Sequence, residues 1–197
     1  MVKRTDAGIF IFNEAEVLDF AGPYEVFSIA EDPDGNKLFN VKLIAEKNEF
    51  ISARNGMRVI PDYSFDDGWI PEILIIPGGY GAEEIELRNE KVISWIKYMN
   101  ERTGLLCSVC TGAFILAEAG LLDGLEAATH WIDSARLSAD YPAVKKVYNA
   151  GFVDTGRIIT CGGISSGITM ALHVVERLCG KETAERTARR MEYNYNS

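Results

Sequence analysis

Histidine is scarce in this chain: two among 197 residues, His130 and His173. Any Cys–His or Ser–His pair has to use one of them. Positive charge is also in deficit. Lysine and arginine total 20 against 29 aspartates and glutamates, a formal net charge of −9, and no lysine/arginine stripe stands out. That balance argues against nucleic acid or an anionic membrane surface as partner. Long apolar runs are missing. Ala7–Phe12 and Ile73–Pro77 have strand length, far below the roughly 20 residues of a membrane span. The short run after Met1–Asp6 is too brief for a secretory signal, so the cytoplasm is the expected compartment. There is no Pro/Gly/Ser-rich linker, low-complexity tract or repeat, and one domain is expected over residues 1–197. Cysteine is limited to four. In a cytosolic chain these read as thiols for catalysis, metal binding or redox before disulfides.

What is present describes a globular α/β domain. Hydrophobic residues make up 47% of the chain and charged residues 25%, enough for one sizeable core. Ala7–Phe12, Asn40–Ala45, Ile73–Ile76 and Leu105–Val109 read as strands. Leu18–Glu31 reads as a helix with Pro23 in its first turn. Glu90–Arg102, Ala113–Ala119, Trp131–Ala139, Gly167–Cys179 and Glu182–Glu192 also read as helices. Two hairpins are expected, one about Asn55-Gly56 and one about Asp154-Thr155-Gly156. Apolar strands alternating with helices imply a mostly parallel sheet covered on both faces. Ligands in such folds bind beyond the carboxyl ends of the strands. Three strand ends carry unusual residues: Asn13–Asp19, Pro77–Gly81 and Cys110–Gly112.

Cys110 sits where a buried strand turns into a helix, the setting of a nucleophile elbow. The opening of that helix favours a thiolate, and Thr111 adds a hydroxyl and an N–H. The same position also suits a buried structural thiol. The bare N–H groups of Gly78 and Gly79 could hold a developing negative charge, or form a plain tight turn. Asp19 taken alone reads as a helix N-cap. Beside a thiolate it would share one proton with it and become an acid–base partner, a role for which Glu14 and Glu16 compete. His130, near a strand end, either borders the site or orients a loop. His173 reads as a packing or surface residue.

Three patterns weigh less. Cys107-Ser108-Val109-Cys110 is a C-x-x-C, but Cys107 lies within a strand rather than at a helix start, and Cys161 and Cys179 are too far apart to complete a zinc site. Gly163-Ile164-Ser165-Ser166-Gly167 fits G-x-S-x-G, yet the acid-then-histidine order downstream fails, so Ser165 or Ser166 reads as an N-cap. Gly78–Gly81 lacks both the P-loop lysine and dinucleotide spacing.

Leu18-Asp19-Phe20-Ala21-Gly22-Pro23-Tyr24-Glu25-Val26-Phe27, Ile76-Pro77-Gly78-Gly79, Ser108-Val109-Cys110-Thr111-Gly112-Ala113, Ala119-Gly120-Leu121-Leu122-Asp123-Gly124, Ala128-Thr129-His130-Trp131 and Gly162–Gly167 together resemble the ThiJ/PfpI family, part of the class I glutamine-amidotransferase-like group. Within it the chain is most similar to the isonitrile hydratase branch and to the sensor domain of certain AraC-type regulators. The resemblance implies a flavodoxin-like three-layer sandwich, a homodimer, and Cys110 as nucleophile. It maps the acid of the hydratase branch onto Asp19 and the residue after the nucleophile onto Thr111. The protease-like branch has histidine where Thr111 stands. The implied reaction is hydration of an isocyanide to an N-substituted formamide, a hydro-lyase activity on a small molecule with no metal or organic cofactor. Two alternatives are a cofactor-independent glyoxalase or deglycase acting on α-oxoaldehydes, and a non-catalytic ligand or oxidation sensor. No DNA-binding helix-turn-helix is expected in this chain.

Overall fold

The first apolar run forms β1 (Thr5–Phe10), whose last four residues are all buried. A strand covered on both faces needs a continuous apolar run rather than an alternating one. The same holds for β6 (Ile73–Ile76), β7 (Leu105–Ser108) and β11 (Ile158–Cys161), each buried throughout. The computed structural model describes residues 3–148 and 150–195; the ends of the domain expected over 1–197, and residue 149, lie outside the described residues. The remaining elements are α1 (Val17–Ile29), β2 (Phe39–Ala45), β3 (Ile51–Ser52), β4 (Arg58–Val59), β5 (Tyr63–Ser64), α2 (Tyr80–Glu84), α3 (Glu90–Asn100), α4 (Gly112–Glu118), β8 (Glu126–Ala128), α5 (Ser134–Asp140), β9 (Lys146–Tyr148), β10 (Phe152–Asp154), α6 (Ser166–Cys179) and α7 (Lys181–Arg190).

The main sheet has the strand order β10-β11-β7-β6-β1-β2-β5. All its pairings are parallel except β10 with β11. Helices α1, α6 and α7 pack together as one layer, and α2, α3 and α4 as the other. This is the expected flavodoxin-like sandwich. The chain first grows from β1 towards β2 and β5, then returns to the other side of β1 through β6, β7 and β11. The order therefore reverses between β1 and β6, which opens a crevice beyond their carboxyl ends. The segments after β1, β6 and β7 border it.

Both hairpins form as expected. β3 pairs with β4 across Asn55 and Gly56, which have φ of 60° and 87°. β10 pairs with β11 across Gly156, at φ 99°. Pro23 differs from expectation. The helix begins at Val17, so Pro23 stands in its interior rather than its first turn. A proline there cannot donate to the carbonyl four residues back, and that residue is Asp19. β8 ends at Ala128, the strand end expected just before His130. The short elements β5, β9 and α2 were not expected; spans of two to five residues carry no periodicity to read.

Candidate active site

Cys110 occupies the turn between β7 and α4 with φ 54°, a left-handed conformation that costs a non-glycine residue free energy. Surrounding bonds hold it there. Val109 N–H donates to Ile76 O at 2.9 Å, Cys110 N–H to Gly162 O at 3.1 Å, and the Thr129 hydroxyl to Cys110 O at 2.9 Å. A Cβ on Gly112 would stand 2.3 Å from Ile76 O and 2.8 Å from Pro77 O, so the elbow can press against β6 only with glycine there. The Cys110 side chain is 7% exposed.

Asp19 lies in the first turn of α1 and is fully buried. Its Oδ2 accepts from Gly78 N–H at 3.0 Å, while Oδ1 has no hydrogen-bond partner. Burial, with help from the Glu16 charge, raises the Asp19 pKa to about 7, against the opposing pull of the Gly78 N–H, the Cys110 thiol and the Ile164 N–H. The thiol and the Ile164 N–H favour the ionised form of Asp19, but burial outweighs them. Burial likewise pushes the Cys110 thiol up, and the Asp19 charge adds to the effect. The N–H groups of Thr111 and Ile164 favour the thiolate but are outweighed. The two side chains therefore compete for protons.

Several expectations change at this site. Asp19 is not the N-cap: Glu16 holds that position, and its side chain makes no capping bond. The start of α4 does not leave Cys110 as a resting thiolate, because burial and Asp19 outweigh it. Gly78 and Gly79 do not offer a free oxyanion hole. The Gly78 N–H is committed to Asp19, and the Gly79 N–H donates to Thr111 Oγ1 at 3.0 Å. The glycines instead fix the acid and the hydroxyl. A Cβ on Gly78 would stand 2.5 Å from Thr111 N, and Gly79 has φ 114°. With its acceptor side occupied, the Thr111 hydroxyl keeps its proton for another group.

Glu14, at φ 59°, is drawn away by Arg54, with Oε2 at 2.7 Å from Nη1. Glu16 remains at the site. It lines an open cleft of about 310 Å³ together with Arg54, Tyr80, Glu83, Cys110, Thr111, His130, Asp133 and Ile164. His130 thus borders the cleft. Its Nδ1 accepts from Ile132 N–H at 3.4 Å and stands 3.4 Å from Asp133 Oδ2. A Cβ on Gly163 would meet the His130 ring at 2.1 Å. His173 is not in the lining; its Nε2 bonds Asp154 Oδ2 at 2.8 Å and its ring stacks on Phe152. Ser165 holds the N-cap position of α6 without a side-chain cap bond. All four cysteines are free thiols. Among the described residues, no group of three or more His, Cys, Asp or Glu could hold a metal ion, and no helix is long and apolar enough to cross a membrane.

One contributor escaped sequence reasoning. Ile164, at φ 51°, turns its N–H towards both Asp19 and Cys110. A β-branched residue in that region is a true outlier. The available signal was the Gly162-Gly163 pair directly after β11, which marks a tight turn into α6.

Comparison with known proteins gives a consistent picture. The pattern that defines the DJ-1/PfpI family matches residues 6–177. Isonitrile hydratase of Pseudomonas putida is 30% identical over 188 residues, covering 94% of this chain and 77% of the relative. The HTH-type transcriptional regulator GbdR of Pseudomonas aeruginosa is 25% identical over 175 residues, covering 89% of this chain but 47% of the regulator. Among solved structures, a THiJ/PfpI family protein from Pseudomonas syringae superposes with a TM-score of 0.87 at 22% identity, covering 99% of this chain and 77% of that one. DJ-1beta of Drosophila melanogaster gives 0.80 at 19% identity, covering 98% and 100%.

Proposed function

We propose that this chain, which belongs to the DJ-1/PfpI family, is a cysteine-dependent hydratase that converts an isocyanide into an N-substituted formamide. The observation that carries the reading is the buried Asp19–Cys110 pair at the crevice, one oxygen of Asp19 being left without a partner. The similarity to isonitrile hydratase over 94% of the chain supports the choice of substrate class.

The pair dictates the proton traffic. Below about pH 7 both groups are protonated; above it one proton is left between them, because Asp19 titrates near 7. In the reactive arrangement Asp19 carries that proton and Cys110 is the thiolate. Sulfur attacks the terminal isocyanide carbon, and Asp19 delivers its proton to the same carbon, giving a thioimidate. Asp19, now ionised, takes a proton from water as the hydroxide adds to that carbon, and passes the proton to nitrogen. The hydroxyl proton then goes to Asp19 while the C–S bond breaks. Formamide leaves, and the thiolate and protonated Asp19 are restored. The Thr111 hydroxyl orients the water. The N–H groups of Thr111 and Ile164 stabilise sulfur as it arrives and departs. No step calls for a metal or organic cofactor.

The reaction is assigned to a cytoplasmic homodimer acting on a small molecule. Incubation of purified protein with cyclohexyl isocyanide, followed by chromatography of the formamide, tests it. Enzyme-dependent product that is lost in Cys110→Ala is expected; product equal in both refutes the reading. Similarity to GbdR favours one other reading, a ligand-sensing domain without turnover. Saturable binding of an isocyanide without product would support that instead.

A further inference from the structure

The charges around the Cys110 cleft are not evenly matched. Its lining holds the carboxylates of Glu16, Glu83 and Asp133 and the guanidinium of Arg54. Arg54 is engaged elsewhere: it pairs with Glu14 at 2.7 Å and lies over the Tyr80 ring, 5.5 Å from its centre. Arg136 approaches Glu83 at 2.6 Å, Asp133 at 3.8 Å and Asp140 at 3.7 Å, and His130 stands 3.4 Å from Asp133. Among the described residues, no Lys, Arg or His makes an ion pair with Glu16. Its carboxylate also caps no helix N–H. It stands one helical turn before Asp19, whose Oδ1 is fully buried and unpartnered behind the lining. Tyr80 and Ile164 offer apolar contact surface at the mouth, at 54% and 40% exposure.

We infer that the cleft sorts electrophiles by charge, admitting neutral and cationic ones and rejecting anions, and that Glu16 is the specificity-determining residue. This rests on the reading of Cys110 as the group the substrate must reach. An anion entering the cleft gives up hydration and meets Glu16, with every nearby guanidinium already paired. A neutral isocyanide meets no such penalty, and an ammonium group on the substrate gains from it. Substrates bearing a carboxylate beside the reactive carbon are excluded on the same ground.

Charged thiol reagents test this without requiring turnover. The full-length protein is treated with a cationic (aminoethyl) and an anionic (sulfonatoethyl) methanethiosulfonate. Modification of the Cys110 peptide is followed by mass spectrometry, and each rate is divided by that of a free small thiol. The cationic reagent is expected to be favoured by about tenfold or more at low salt, with the preference shrinking as salt screens the field. Glu16→Gln should cut the ratio by about five- to tenfold. A change in thiol ionisation alters both rates alike and cancels from the ratio. A wild-type ratio near one at low salt, or a ratio unchanged in Glu16→Gln, overturns the inference. If Glu16→Gln does not fold, the wild-type salt titration decides, and a ratio insensitive to salt overturns it. A protein that shows the ratio but hydrates no isocyanide contradicts the hydratase reading and leaves the charge rule standing; hydration of cyclohexyl isocyanide with a ratio of one does the reverse.

Discussion

Asp19 is a carboxylic acid held near neutrality by burial, and its titration should be visible in two ways. The first is kinetic. Formamide production, as kcat/KM, should rise as pH passes upward through about 7, where the pair gives up its first proton. Asp19→Asn should lose that limb of the profile and about 10²–10⁴-fold in rate, the range of a positioned acid–base group. The second is thermodynamic. The folded-state pKa of Asp19 is raised from 3.8 to about 7, so the native state holds a proton that the unfolded chain has already released over that interval. Asp19 therefore costs the fold nothing below about pH 4 and progressively more up to about 7, reaching roughly 4 kcal/mol at 1.36 kcal/mol per pKa unit. Urea titrations should show Asp19→Asn gaining on wild type between pH 5 and pH 8; a constant difference across that range contradicts the buried-acid account. The choice among Glu14, Glu16 and Asp19 was open in the sequence because all three lie within six residues of one loop. What separates them is three-dimensional: Arg54 draws Glu14 off, Glu16 remains in the open cleft, and only Asp19 turns under the Gly78 N–H.

The site is assembled where three turns meet after β1, β6 and β7, and the fit between their backbones leaves little room. A methyl group on Gly78 would have to displace the Thr111 backbone, which carries the elbow. Gly78→Ala should therefore reduce formamide production and destabilise by about 1–3 kcal/mol, the scale of an overpacked core. A variant with wild-type melting temperature and rate would show the contact to be slack. These elements were legible because their signals are strong: apolar runs mark β1, β6 and β7, Pro77-Gly78-Gly79 follows β6, and Cys110-Thr111-Gly112 closes the turn after β7. The convergence of Asn13–Asp19, Pro77–Gly81 and Cys110–Gly112 followed from parallel-sheet topology alone. Hydrogen-bond commitments did not. Two adjacent glycine N–H groups look free in a sequence, yet here each has a buried partner, and the donors near the sulfur come from Thr111 and Ile164.

At the scale of the molecule, a charge of −9 disfavours nucleic acid and says nothing about a neutral ligand; the cleft gives that charge a local meaning through Glu16. The chain spans 77% of the length of isonitrile hydratase and 47% of that of GbdR. The homodimer implied by family resemblance should sediment at about 44 kDa, twice the 21.8 kDa of one chain; a concentration-independent 21.8 kDa species would exclude it. The most direct test is formamide release from cyclohexyl isocyanide by the wild type, Cys110→Ala and Asp19→Asn, each first shown to be folded. Turnover by the wild type alone, with both variants near the uncatalysed background, is the predicted result. Equal product from wild type and Cys110→Ala would contradict the account.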